Sequence, residues 1–142
     1  MIAFQTENVA MPRFSKAIVR RWIQEVAGTY GCQENGIGYL FCDDEKILEV
    51  NRQFLGHDYY TDIITFDYSS GKNISGDLYI SLDTVRSNSE LFGTGYESEL
   101  YRVIIHGVLH LCGINDKGPG ERAVMEAAEN RALGMLMKMI EK

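Results

Sequence analysis

The sequence predicts an α+β (α/β) fold: a single domain over residues 1–142, with a small mixed sheet of about four strands packed by about five helices. Three observations carry this expectation. Short apolar runs at 2–6, 37–42, 63–66 and 77–82 alternate with longer segments whose apolar residues recur at helical spacing. A chain of 142 residues with 45% apolar and 24% charged side chains suits one globular core and excludes wholesale disorder. No repeat, low-complexity tract or proline-rich linker divides it, and its two prolines, Pro12 and Pro119, both precede expected helices.

The elements follow in order. Ile2, Phe4 and Thr6 alternate with Ala3 and Gln5, the period of a strand. Over 13–27, Phe14, Ile18, Val19, Trp22, Ile23 and Val26 occupy one half of a helical wheel, and Arg13, Lys16, Arg20 and Arg21 the other. Gly28 and Gly31 punctuate its end. The run IGYLFC at 37–42 is apolar on both faces, as a central strand must be. Asp43 or Asp44 is expected to cap a helix over roughly 45–55, with Ile47, Leu48, Phe54 and Leu55 inward. The polar run GHDYYTD then leads to the strand at 63–66, and the turn segment SSGKNISG separates it from the strand at 77–82. Asp83 is expected to cap a short helix ending near Gly93. Glu97–Cys112 forms a long apolar helix stopped by Gly113, and Gly120–Ile140 a last amphipathic one. Its apolar face is read as Val124, Met125, Ala128, Ala132, Leu136 and Met139, with the methionines as core filler.

Composition narrows the function classes. No apolar run approaches the ~18 residues needed to span a bilayer, and MIAFQTENVAMPRF lacks the basic start and apolar block of a secretory signal. Three cysteines without CxxC spacing (Cys32, Cys42, Cys112) point to reduced thiols, no disulfides and a cytoplasmic protein. The net charge of −6 argues against a nucleic-acid partner, but it is unevenly spread. Residues 1–24 carry four basic side chains against Glu7, a net +3, and the remainder carries −9. The basic half of the 13–27 helix is thus a candidate contact for RNA phosphate, set against the plainer reading of a solvated helix face.

The chemistry concentrates in HGVLHLCGIND. His106 and His110 are four apart, so on a helix their imidazoles lie one above the other on the same face. Val103, Ile104, Ile105, Val108, Leu109 and Leu111 bury that helix, and buried ring nitrogens need partners. Zinc would serve both, at about 2.0–2.1 Å. Gly113 permits the turn back that brings a third donor, and Asp116 follows, giving H-x3-H-x2-G-x2-D. Three protein ligands and an open fourth position describe a catalytic zinc site. Two histidines and a carboxylate also suit ferrous iron. Asp116 has a second reading as a turn residue within NDKGPG, and Cys112 is read as a buried thiol rather than a ligand. The glutamate of HExxH zinc peptidases is missing, since Gly107 holds its place.

At these residues the sequence resembles the YbeY family of bacterial endoribonucleases, whose pattern HGxLHLxGxDH is matched at His106, Gly107, Leu109, His110, Leu111 and Gly113. The family's LN, TDVLSF and GDI segments are similar to Val50-Asn51, Thr61-Asp62-Ile63-Ile64-Thr65-Phe66 and Gly76-Asp77-Leu78. The resemblance implies a metal-dependent, single-strand-specific endoribonuclease acting in maturation of the small-subunit rRNA 3′ end and in ribosome quality control. It implies zinc as cofactor, held at His106, His110 and Asp116, with the ribosomal small subunit and an assembly GTPase as partners. Asp62 and Asp77 become base candidates on the resemblance alone. Two positions depart from the pattern: Asp116 stands where the family has a third histidine, and Leu55 stands where it has a basic residue associated with activity. His57 is a nearby candidate to replace that cation. The alternatives are a zinc metallopeptidase with its base elsewhere, and a non-enzymatic ribosome-assembly factor with structural zinc.

Overall fold

The computed structural model describes residues 1–56 and 61–141. Within them the chain runs β1 (Ile2–Thr6), α1 (Lys16–Thr29), β2 (Gln33–Cys42), α2 (Asp44–Val50), β3 (Ile63–Asp67), β4 (Asn73–Ser81), α3 (Leu82–Phe92), α4 (Tyr96–Leu111) and α5 (Glu121–Ile140). The strands form one mixed sheet in the order β1-β2-β4-β3. β2 lies parallel to both β1 and β4, and β3 returns antiparallel along β4. The expected α+β architecture is therefore found, with the strand read as central, β2, in the interior of the sheet.

Alternation decides which way the sheet faces. Ile37, Tyr39 and Phe41 of β2 and Ile74, Leu78 and Ile80 of β4 are buried on the side that carries the main core with α1, α3, α4 and α5. On the other side, α2 packs Ile47 and Val50 against Ile64, Phe66 and Tyr79. α4 crosses the main-core side as the central helix, packed by α1, α3, α5 and the β3/β4 pair. Its Ile104, Ile105, Val108 and Leu109 are fully buried, each worth about 1.5–3 kcal/mol of apolar burial. Two buried aromatics lock the layers through their polar atoms. The Tyr39 hydroxyl donates to the Ile104 carbonyl at 2.8 Å, and the Trp22 indole N–H donates to the Ala132 carbonyl at 2.7 Å. No helix of the described residues is long and apolar enough to cross a membrane.

Several expectations need correction. The helix after β2 does not run regularly to 55: α2 ends at Val50 and the chain widens into a π turn over Asn51–Leu55, closed by Gly56 at φ +66°. Phe54 and Leu55, expected inward, are instead 60% and 43% exposed, with Phe54 standing edge-on to Phe66. Asp43 is the cap of α2, accepting from the Lys46 N–H at 2.9 Å, and Asp44 accepts from the Ser81 and Thr84 hydroxyls. Ser81, not Asp83, caps α3, because its hydroxyl reaches the Thr84 N–H while Asp83 lies in the first turn. Val124 is exposed, so the apolar stripe of α5 starts at Met125. Cys112 is half-buried rather than buried, and all three cysteines are free thiols. On α1, Arg20 donates to the Ile2 carbonyl at 2.8 Å and lies over the Phe4 ring, and Arg21 pairs with Glu25. Two of the three cations of α1 are thus already engaged with the protein, and Arg13, expected on this helix, precedes its cap at Ser15. His57 lies outside the described residues.

Candidate functional site

The end of α4 is built to send the chain back toward the histidines. Gly113 has φ +99°, and its N–H donates to the His110 carbonyl at 3.0 Å, while the Ile114 N–H reaches the Leu109 carbonyl at 3.1 Å. These paired bonds form a Schellman end, which satisfies the last carbonyls and reverses the chain. The reversal carries Asp116 to His106: its Oδ2 lies 3.5 Å from His106 Nε2. His106 and Asp116 line one cleft of about 460 Å³. His110, one turn further along α4, is half-buried and is not among the cleft's lining residues. The structure thus brings together two of the three expected ligands. Among the described residues, no three His, Cys, Asp or Glu side chains are gathered closely enough to hold an ion.

The 3.5 Å separation has a chemical meaning. It is too long for a charge-assisted hydrogen bond, which closes to about 2.7–2.9 Å. Two donors on a single tetrahedral zinc at about 2.0–2.1 Å would sit about 3.3 Å apart. The donor pair fits a shared ion better than it fits direct contact. His106 is also oriented as a ligand should be, with its other nitrogen occupied. Nδ1 lies 2.7 Å from Glu129 Oε2, and a carboxylate only accepts, so Nδ1 carries the hydrogen, and in the neutral ring Nε2 is the nitrogen left with a lone pair toward the cleft.

Glu129 is the site residue that sequence reasoning missed. Its side chain is 10% exposed and is held on its other oxygen by Arg102, whose Nη1 lies 2.8 Å from Oε1. Arg102 Nη2 donates in turn to Asn130 Oδ1 at 2.8 Å. Burial opposes the charge on Glu129, but the bonds from His106 and Arg102 outweigh it and hold the carboxyl below its ordinary range. For His106, burial likewise disfavours the imidazolium, yet Glu129, Asp116 and Asp62 together lift it above its ordinary value. A signal was present in the sequence: Glu129 falls on the apolar stripe of α5, between Met125, Ala128 and Ala132.

The two aspartates suggested by resemblance separate. Asp62 lines the cleft, and burial raises its carboxyl above the usual range while the facing His106 opposes the rise. Glu99, 7% exposed in the same cleft, is raised by burial too. Asp77 lies on the opposite face of the sheet in a second cavity with Gly38 and Tyr79, remote from the histidines. Burial, then the nearby Cys32, push the Cys112 thiol up to about 12. Leu55 ends the exposed π turn and is absent from the cleft lining.

Gly107 explains the missing glutamate. A Cβ built there would stand 3.0 Å from Ile63 Cδ1 and 3.0 Å from Leu78 Cδ1, so this position faces the sheet and not the cleft. Gly107→Glu, which restores the HExxH pattern, is expected to destabilise the protein by about 3 kcal/mol in denaturant titration and to confer no peptidase activity. A stable, peptide-cleaving variant would contradict this placement.

The family model described as Endoribonuclease YbeY matches residues 1–137. A Phocaeicola vulgatus protein named Endoribonuclease YbeY is 66% identical over 136 residues, covering 96% of this chain and 99% of its own. A protein of the same name from Bacteroides thetaiotaomicron is 64% identical over 134 residues, covering 94% and 98%. A solution structure of a Thermotoga maritima protein shares the fold with a TM-score of 0.69, at 24% identity, over 99% of this chain and 92% of that one. By sequence over nearly its whole length, the chain belongs to the YbeY endoribonuclease family.

Proposed function

We propose that residues 1–142 act as one domain, a metal-dependent endoribonuclease that cuts single-stranded RNA, with His106, His110 and Asp116 holding zinc. The observation that carries this reading is the state of His106, fixed at Nδ1 by Glu129 and facing Asp116 across 3.5 Å at Nε2. His110 would add the third donor from the next turn of the same helical face. When bound, the metal supplies positive charge beside a phosphate oxygen, where charge develops during phosphodiester cleavage. The rest is done by the chain. Asp62, a cleft residue made more basic by burial, is the base candidate that would accept the proton of the attacking oxygen. The cleft is open enough for a flexible strand to present its backbone, which a duplex cannot do as freely. The substrate we propose is small-subunit rRNA at its 3′ end, in the cytoplasm. The ribosomal small subunit and an assembly GTPase are the partners implied by the resemblance.

A metallopeptidase is disfavoured by Gly107, whose side-chain direction is taken up by Ile63 and Leu78. The test is cleavage of single-stranded and duplex RNA before and after chelation, with metal content read by mass spectrometry. Close to one zinc per chain, chelator-sensitive cleavage of single strands and restoration by added zinc are expected. Metal-free protein that cleaves RNA at the full rate would refute the reading.

A further inference from the structure

Phe92, the last residue of α3, is 61% exposed. Single exposed aromatics are ordinary; what distinguishes this one is its position, because Phe92 lines the same cleft as His106 and Asp116. Arg122, in the first turn of α5, also lines that cleft and is exposed. Unlike Arg102, it makes no salt bridge or hydrogen bond among the described residues. An uncommitted cation and an exposed aromatic ring therefore both line the cleft that contains the donor pair.

We infer that Phe92 and Arg122 form a nucleotide-binding subsite, in which an unstacked base of single-stranded RNA lies on the Phe92 ring while Arg122 holds a neighbouring phosphate. The inference rests on the endoribonuclease reading and extends it to how the strand is held. A ring face takes any base, so the subsite selects strandedness and not sequence. A base within a duplex has both faces covered and cannot use it. The arginine supplies a positive contact in a cleft whose other arginine, Arg102, is already paired with Glu129 and whose lining also carries Asp62, Glu99 and Glu126.

Two measurements on the metal-loaded full chain test this. In steady-state cleavage of a short single-stranded oligoribonucleotide, Phe92→Ala is expected to raise KM about ten-fold with kcat unchanged. Phe92→Tyr should behave as wild type, as should Leu91→Ala, its still more exposed neighbour outside the cleft lining. Arg122→Gln should reduce the salt slope of binding by about 0.7. Separately, Phe92→Trp places an exposed indole in a protein whose one native tryptophan, Trp22, is fully buried. Rapid mixing with the oligoribonucleotide should quench its emission, and a strand with abasic positions should not. Quenching by RNA that wild-type protein never cleaves would sustain the subsite and sink the nuclease reading. Cleavage with an unchanged KM in Phe92→Ala and no quenching would overturn the subsite and leave the nuclease standing; absence of both would overturn the two together.

Discussion

Glu129→Ala is expected to cost the fold about 3 kcal/mol and to lower metal affinity about 10–100-fold. The stability loss comes from Arg102 and His106, both left beside a vacated, nearly buried position. Arg102 is 31% exposed and can recover part of its hydration, which keeps the cost at the lower end for a broken buried pair. The affinity loss has a separate origin. Without the carboxylate, Nδ1 no longer holds its hydrogen in place, and the imidazole is free to present an N–H to the cleft instead of a lone pair. Glu129→Gln separates the two contributions, since the amide oxygen can still accept from Nδ1 but carries no charge.

The pH dependence has a definite sign. In metal-free protein the imidazole of His106 is raised, so its contribution is complete below the unfolded value of 6.5 and is lost as pH climbs through the folded value. Glu129 is lowered, so its contribution is complete above the unfolded value of 4.5 and is lost as pH falls through the folded value. The stability margin of metal-free wild type over Glu129→Gln should therefore be greatest between 4.5 and 6.5 and shrink on either side. Urea titrations across that range read it directly. A margin that does not change with pH would mean that the pair contributes packing and not charge.

How much of this was legible in the sequence depends on distance along the chain. HGVLHLCGIND announces its own geometry because helical spacing and a helix-ending glycine are local rules, and Gly113 and Ile114 obey them. β2 was legible as a central strand because both its faces are apolar. The π turn after Val50 was not, since nothing in NRQFL distinguishes it from another helical turn, and Phe54 and Leu55 were misassigned as a result. The cap of α3 went to Asp83 because aspartate and serine are equally good caps; which one sits at the boundary depends on where β4 stops pairing. Asp62 and Asp77 look alike in sequence and part only in space. Asp62 ends the loop entering β3 beside α4, whereas Asp77 points to the opposite face of the sheet from α4 by strand alternation. Glu129 lies 23 residues from its partner His106, beyond the reach of any spacing rule. Only its place on an apolar stripe gave it away.

Asp116 is where the ligand assignment is most exposed to test. Asp116→Ala should reduce metal affinity by more than about 100-fold, beyond the range seen when a residue only supports a ligand. The alternative, a turn aspartate, is already weakened by the absence of any hydrogen bond from a backbone N–H to its carboxylate among the described residues. Its one close partner there is His106. Metal-free Asp116→Ala should accordingly differ from metal-free wild type by no more than about 0.5 kcal/mol, the range of a surface substitution. Asp116→His should keep metal bound, because imidazole can occupy the same corner at a similar distance. It should also move the pH profile of RNA cleavage toward acid, since a neutral ligand in place of an anion leaves the centre more positive and eases loss of a proton there. Loss in Ala, retention in His and an acid shift together assign ligation, because a turn residue predicts none of the three. If Asp116→Ala binds zinc as tightly as wild type, the third ligand is another carboxylate of the same cleft, and Asp62 and Glu99 are the ones to substitute next.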